Sequence, residues 1–370
     1  VNSQVLPVRD GNVDGLAEVP EPRTGRYIAH PLDEILVIAV CAIFAGAESF
    51  VEAVEWAEVK EAWLRRFLPL KNGIPSHDTV NRVFRLLDPK QFENAFRSWT
   101  QGLLGSFQQI AIDGKCLRGT ARGAHSPVHM ISAFATELGL ALGQEKVADK
   151  SNEITAIPAL LAALDVEGCL VSLDAMGCQK EVAKTMVARK ADYLLAVKEN
   201  QPKLRQAVAC ALHDHPTERV ASAQKGHGRT VLQHVVTAPA EGIVDAQAWP
   251  GCKTVGRVDS VRLDGRRQSA LEQRYYLSSR VLSAEALAQA VRRHWAIENG
   301  LHWCLDVVFR EDNCPLREDH GPQNFALLLK FALNLLRSSP YQAKKSMRVR
   351  RKRAGWDDEA LAELLGMSPL

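Results

Sequence analysis

Three short segments, far apart in the chain, each carry one carboxylate in a setting that suits metal chemistry. Two are apolar runs that read as buried strands ending on an Asp followed closely by a Gly: Ile110-Ala111-Ile112-Asp113-Gly114-Lys115 and Val171-Ser172-Leu173-Asp174-Ala175-Met176-Gly177. The third, His294-Trp295-Ala296-Ile297-Glu298-Asn299, lies in a strongly helical stretch. Asp113, Asp174 and Glu298 stand 61 and 124 residues apart in sequence. Brought together, they could hold two Mg²⁺ ions, with Mn²⁺ as a substitute, for attack on a phosphodiester. Each also has an ordinary reading when taken singly. An Asp-Gly pair commonly caps a turn, and a lone helical Glu is commonly a surface residue.

The helical segment offers more than one ionisable group. His294, Glu298, His302 and Asp306 recur every four residues, so one continuous helix from Ser283 to Phe309 would place them in a single polar stripe. Trp295, Ile297, Leu301 and Trp303 are bulky neighbours expected to bury much of that helix. A stripe of this kind is costly in apolar surroundings unless its members pair or bind something. Two readings stay open: an internal hydrogen-bond network, or Glu298 on a metal with His294, His302 and Asp306 behind it or against DNA.

The elements that must position these residues follow from periodicity. Residues 1–30 mix Pro, Gly, Asp and Asn without a period and read as a loose arm. Residues 31–105 are helical throughout. Within them the helix starting near Asp78 carries Asn81, Arg82 and Arg85 opposite its apolar stripe, either as a DNA-reading helix of helix-turn-helix type or as an ordinary amphipathic surface. From Ile110 the pattern becomes β, with strands at 110–113, 128–136 and 140–147. Helix and strand then alternate: 154–164, 169–173, 181–189, 193–197. Three strands followed by alternation is the order of an RNase H-like fold, a mixed α/β architecture with ligands at the carboxyl ends of its strands. The core would comprise 106–202 and 280–340, interrupted by a β-rich insertion at 203–279 with an Asp264-Gly265 turn. Trp249 in that insertion could stack on a flipped base, or could be a loop or core tryptophan.

Bulk properties set the limits. The 370 residues are 46% hydrophobic, enough for two or three domains with real cores. The longest apolar run, Ile35 to Ala47, has 13 residues flanked by Asp33, Glu34 and Glu48, so it reads as a core helix and no membrane association is expected. No signal peptide is expected at the N-terminus, and the eight cysteines form no C-x-x-C pair, which suits reduced thiols in the cytoplasm. The net charge is only +3, but Lys344, Lys345, Arg348, Arg350, Arg351, Lys352 and Arg353 put seven cations into ten residues of the 341–370 tail. That run is either a solvated tail or a phosphate-contacting arm.

Several blocks together match a known pattern. They are Asn72-Gly73-Ile74-Pro75-Ser76-His77-Asp78-Thr79, Ile112-Asp113-Gly114-Lys115, Leu173-Asp174-Ala175-Met176-Gly177, Lys198-Glu199-Asn200-Gln201-Pro202, Arg274-Tyr275-Tyr276-Leu277-Ser278-Ser279, and the specific run from His294 to Asp306. Over roughly residues 30–340 the chain resembles insertion-sequence transposases of the H-repeat-associated protein family, within the DDE transposases of RNase H-like fold. The resemblance implies DNA transposition, with Asp113, Asp174 and Glu298 as an acidic triad binding two divalent ions. Lys198, Lys115 and Arg118 become candidate phosphate contacts. It also implies double-stranded DNA as the partner, bridged by a homodimer or larger assembly. Related enzymes carry Tyr, Arg and Lys around the glutamate where this chain has Val291, His294 and Leu305, leaving His302 and Asp306 as candidates to replace part of that function. A nuclease without strand transfer, an inactive or domesticated DNA-binding protein, and a carboxylate-pair sugar hydrolase remain alternatives.

Overall fold

A computed structural model describes residues 14–367 apart from 26, 105–106, 122–125, 148–152, 227–228 and 265–266. The first 13 residues of the expected arm and the Gly of the Asp264-Gly265 turn lie outside the described residues. The helices before the sheet are α1 (Asp14–Ala17), α2 (Leu32–Ala45), α3 (Phe50–Val59), α4 (Glu61–Leu64), α5 (His77–Leu86) and α6 (Pro89–Leu103). Ser49, Ser76 and Asp88 cap α3, α5 and α6 by accepting backbone N–H bonds of the first turn. The apolar run expected to form a core helix does so, since α2 is buried along almost its whole length. No single helix among the described residues is long and apolar enough to cross a membrane. Within the expected loose arm, α1 and the residues just after it are packed. Leu16 and Val19 are buried in the core, and Gly15 sits so close to Trp99 that a Cβ there would lie 2.4 Å from the tryptophan's own Cβ.

The sheet begins with β1 (Gln109–Leu117), β2 (Val128–Ala135) and β3 (Leu140–Val147), an antiparallel meander. After α7 (Glu153–Ala163), β4 (Leu170–Leu173) pairs parallel to β1. After α8 (Lys180–Ala188), β5 (Asp192–Val197) pairs parallel to β4. One expectation changes here. β1 does not stop at Asp113 but runs to Leu117, with Asp113 opposite Ser132 of β2, so Asp113-Gly114 is not a turn. What does end is the pairing with β4, which reaches only Ile112, and this frees one edge of β1 at the aspartate.

The segment expected as a β-rich insertion adds its strands to the same sheet. Following α9 (Pro202–Asp214) come β6 (Glu218–Gly226), β7 (Arg229–Pro239), β8 (Thr254–Asp264), β9 (Arg267–Gln268) and β10 (Glu272–Ser278). β10 pairs with β5, giving the order β3-β2-β1-β4-β5-β10-β8-β7-β6, with β9 on β8. Strand β6 was not expected. Its residues are mostly polar, as an edge strand paired on one side only tolerates. Trp249 is buried in the core under this part of the sheet, so it offers no face to a flipped base.

The rest is helical: α10 (Ala284–His294), then two π-helical turns at Glu298–His302 and Cys304–Val308, then α11 (Gly321–Ser338), α12 (Met347–Trp356) and α13 (Asp358–Leu365). One continuous core joins α1–α6 to α11–α13 and the π-helical turns, crossing the boundaries expected at residues 105 and 340. The basic tail is therefore folded. Arg350 donates to the carbonyls of Tyr341, Ser339 and Leu336, and Arg351 to those of Ile43 and Val308. Both are buried, so neither reaches a phosphate, which corrects the expectation for these two. Burial, opposed by Glu48 and helped by Arg310, pulls the Arg351 guanidinium down to about 10. Lys344, Lys345, Arg348, Lys352 and Arg353 remain exposed.

Arg351→Met takes the guanidinium donor from the buried Val308 carbonyl and leaves the Ile43 carbonyl with only the Gly46 N–H, and should lower the unfolding free energy by about 2 kcal/mol. Lys352→Met should change it by less than about 0.5 kcal/mol. Urea denaturation of the full-length variants checks both, and equal effects would contradict the assignment of Arg351 as a clamp.

Candidate active site

Strand alternation decides which side chains meet. On β1, residues 109, 111, 113 and 115 share the sheet face covered by the segment after α10, whereas Ile110 and Ile112 enter the opposite core. On β4, Ser172 sits beside Ala111, and Asp174 follows one residue beyond the strand. Its Oδ1 accepts the backbone N–H groups of Met176 (3.0 Å) and Gly177 (3.4 Å), which holds the carboxylate at the strand's carboxyl end. Gly177 is required there, because a Cβ would lie 2.9 Å from the Leu173 side chain.

The π-helical turns bring the third carboxylate. Trp303 N–H bonds to Glu298 C=O, and Phe309 N–H bonds to Cys304 C=O at 3.1 Å, each skipping five residues instead of four. The close approach to β2 depends on Gly300, whose Cβ would meet the Phe134 ring at 2.8 Å. Arg337 of α11 donates to the Gly300 and Gly139 carbonyls and so ties the segment to the β2–β3 turn. His302 Nδ1 then lies 3.5 Å from Asp113 Oδ2 and 3.6 Å from Glu298 Oε2.

The four residues expected as one stripe do face one side of the sheet, where they meet three partners in turn along it. Glu298 and His302 face Asp113. His294, still in α-helix, turns inward and hydrogen-bonds Ser172 Oγ at 3.1 Å. Gln109 Nε2 donates to that same Ser172 Oγ and to Ala290 C=O, completing a buried bridge between β1, β4 and α10. Asp306 pairs with Lys115, which also reaches Glu311. Lys115 and Asp306 are thus engaged with each other instead of with phosphate. Trp295 and Trp303, expected to be buried, are 38% and 52% exposed; Trp295 is covered on one face by the Arg274 guanidinium.

Electrostatics separates the roles. Burial raises Asp113, His302 lowers it, and the neighbouring charges of Asp174 and Glu298 raise it again, leaving it at about 6. Glu298 is held below the usual carboxylate range by His302 beside it. Burial pushes His294 down to about 4, so it is neutral at pH 7. For Lys115, burial works against the charge, but Glu311 and Asp306 outweigh it and keep the ammonium above the usual lysine range. A buried aspartate raised by its carboxylate neighbours, with a buried imidazole beside it, is part of a donor set that a divalent cation would relieve. Asp113, Glu298 and His302 can each present a ligand atom to one ion.

Other candidates lie apart from this cluster. Lys198 is exposed just beyond β5, and Arg118 is exposed beyond β1 near Asp312. On α5, Arg82 is exposed and Asn81 half-buried, while Arg85 is paired with Glu318 and Asp319. Gln109, Ser172 and Arg337 were missed from sequence. Arg337 left one signal, an ionisable residue that, with Lys330, interrupts the largely apolar run of α11.

Residues 105–335 match the family model of the transposase DDE domain, and residues 13–100 match the model of the domain associated with it. This chain belongs to the DDE transposase family. It is 35% identical to YhhI of Escherichia coli K12, an H repeat-associated protein provisionally named a transposase, over 97% of this chain and 98% of that one. It is 36% identical to YncI of Escherichia coli O157:H7, named in the same provisional way, over 95% of this chain and 94% of the relative.

In this DDE-family chain the raised Asp113 has a measurable sign. Its folded value lies above the ordinary carboxylate value, so its contribution to stability is full below about pH 4 and lost as pH rises through about 6. Asp113→Asn should therefore stabilise the metal-free protein by about 2 kcal/mol at pH 7.5, with the difference vanishing near pH 4. Chemical denaturation at the two pH values reads it, and a pH-independent difference would contradict the assigned cause.

Proposed function

We propose that this protein is a DNA transposase that cleaves at the ends of its insertion element and transfers the 3′-ends to target DNA. Asp113, Asp174 and Glu298 would hold two Mg²⁺ ions. What supports this reading is Asp113 of β1 and Glu298 of the π-helical turns meeting at His302, with Asp174 at the end of β4 close enough to raise Asp113, in a DDE-family chain. When bound, the ions would activate water or a terminal 3′-hydroxyl and stabilise the leaving oxygen. The chain's own groups prepare that chemistry. Glu298 stays ionised, and the bridge of Gln109, Ser172 and neutral His294 fixes α10 against the strands. The triad of Lys115, Asp306 and Glu311 sets the register of the glutamate's segment.

The partner is double-stranded DNA, held by a homodimer or larger assembly that bridges two ends in the cytoplasm. Arg82 and Asn81 on α5, Lys198, Arg118 and the five exposed cations of 344–353 supply contacts. Phosphate contacts of this kind position the duplex, while bases are read in the grooves.

Full-length protein incubated with Mg²⁺ and DNA carrying the element's inverted repeats should cut at the ends, and pre-cut ends with supercoiled target should give joined products. Asp174→Asn should reduce both by about a hundredfold or more while DNA binding persists. Binding without cutting by the unmodified chain would refute the enzyme reading, and cutting without joining would leave a nuclease. Replacing Lys344, Lys345, Arg348, Lys352 and Arg353 by Ala should flatten the salt dependence of binding, by about 0.9 in slope for each phosphate no longer neutralised. An unchanged slope would remove that face from the interface.

A further inference from the structure

His302 stands between two carboxylates without a good hydrogen bond on either ring nitrogen. Its side chain is 7% exposed, and Nε2 is buried with no partner. Nδ1 lies 3.5 Å and 3.6 Å from Asp113 and Glu298 oxygens. N–H···O bonds prefer about 2.7–3.2 Å. Two ligands of one ion, each bonded at about 2.1 Å, stand roughly 3.0–3.5 Å apart. The observed gaps fit the second spacing better, and one atom from each of the three side chains falls within 4.8 Å of the others.

We propose that His302 is itself a metal ligand, forming with Asp113 and Glu298 a mixed nitrogen–oxygen site that prefers a first-row transition ion such as Mn²⁺ over Mg²⁺. The inference rests on the reading of Asp113 and Glu298 as metal ligands and adds a specificity to it. Mg²⁺ favours hard oxygen donors and gives up water reluctantly, whereas imidazole nitrogen suits transition ions. Asp174 offers only oxygen, so a second ion shared between Asp113 and Asp174 would lack this preference. The two positions would then differ in the ion they take.

The test uses the full-length protein without DNA, so it is independent of cleavage. Mn²⁺ is bound, titrated against Mg²⁺, and examined by pulsed electron paramagnetic resonance for coupling to ¹⁴N. The wild-type protein should show directly bound imidazole nitrogen. His302→Asp should abolish the ¹⁴N signal, keep metal binding through oxygen, and shift the Mn²⁺/Mg²⁺ preference toward Mg²⁺ by roughly tenfold or more, the range over which even indirect partners of a ligand act. His302→Asn, with its fold checked by circular dichroism, should also lose the signal. Bound Mn²⁺ without ¹⁴N coupling, or an unchanged ion preference in His302→Asp, overturns the proposal. Coupling that persists in His302→Asp also overturns it, because the nitrogen ligand would then be another residue. Intact ¹⁴N coupling in a protein that never cuts DNA would refute the transposase reading and leave this one standing.

Discussion

The closure of the π-helical segment onto β1 is the interaction on which the site depends. Asp113 and Lys115 point to the same side of the sheet, and the segment answers each in turn, with Glu298 and His302 at the aspartate and Asp306 at the lysine. Charged groups taken out of water do not repay their desolvation simply by pairing. What the buried contact of Lys115 with Asp306 and Glu311 provides is register. A shift of one residue along β1 would send both side chains to the opposite core and leave three charges stranded.

The surrounding structure is organised to hold that closure. Arg337 reaches from α11 to the Gly300 carbonyl, and Arg351 reaches from α12 to the Val308 carbonyl at the far end of the same segment. Both ends of the π-helical region are therefore pinned by guanidinium groups from helices later in the chain. The N-terminal helices share their core with these later helices, so the surface that would meet DNA and the active site are parts of one packed body.

The bridge formed by Gln109, Ser172 and His294 does comparable work one turn earlier. It fixes α10 over β1 and β4 before the helix changes type. Because burial keeps His294 neutral, the link carries no charge that would compete with the carboxylates above it.

Local pattern was enough to locate the strands β1–β5 and the buried α2, because alternation and apolar runs act over a few residues. It was not enough to show that β1 continues past Asp113, since strand length there is set by β2 and not by the apolar run. Nor did it show β6, whose polar residues suit an edge that only β7 reveals. The seven cations of the tail looked equivalent in sequence. Packing against Ile43 and Val308 divided them, because buried carbonyls need donors and the solvent-facing side of α12 does not. The four-residue spacing from His294 to Asp306 did put these residues on one side of the segment, facing Ser172, Asp113 and Lys115 in turn. Which partner each would meet was decided only by the packed structure, because the strands that supply those partners are remote in sequence.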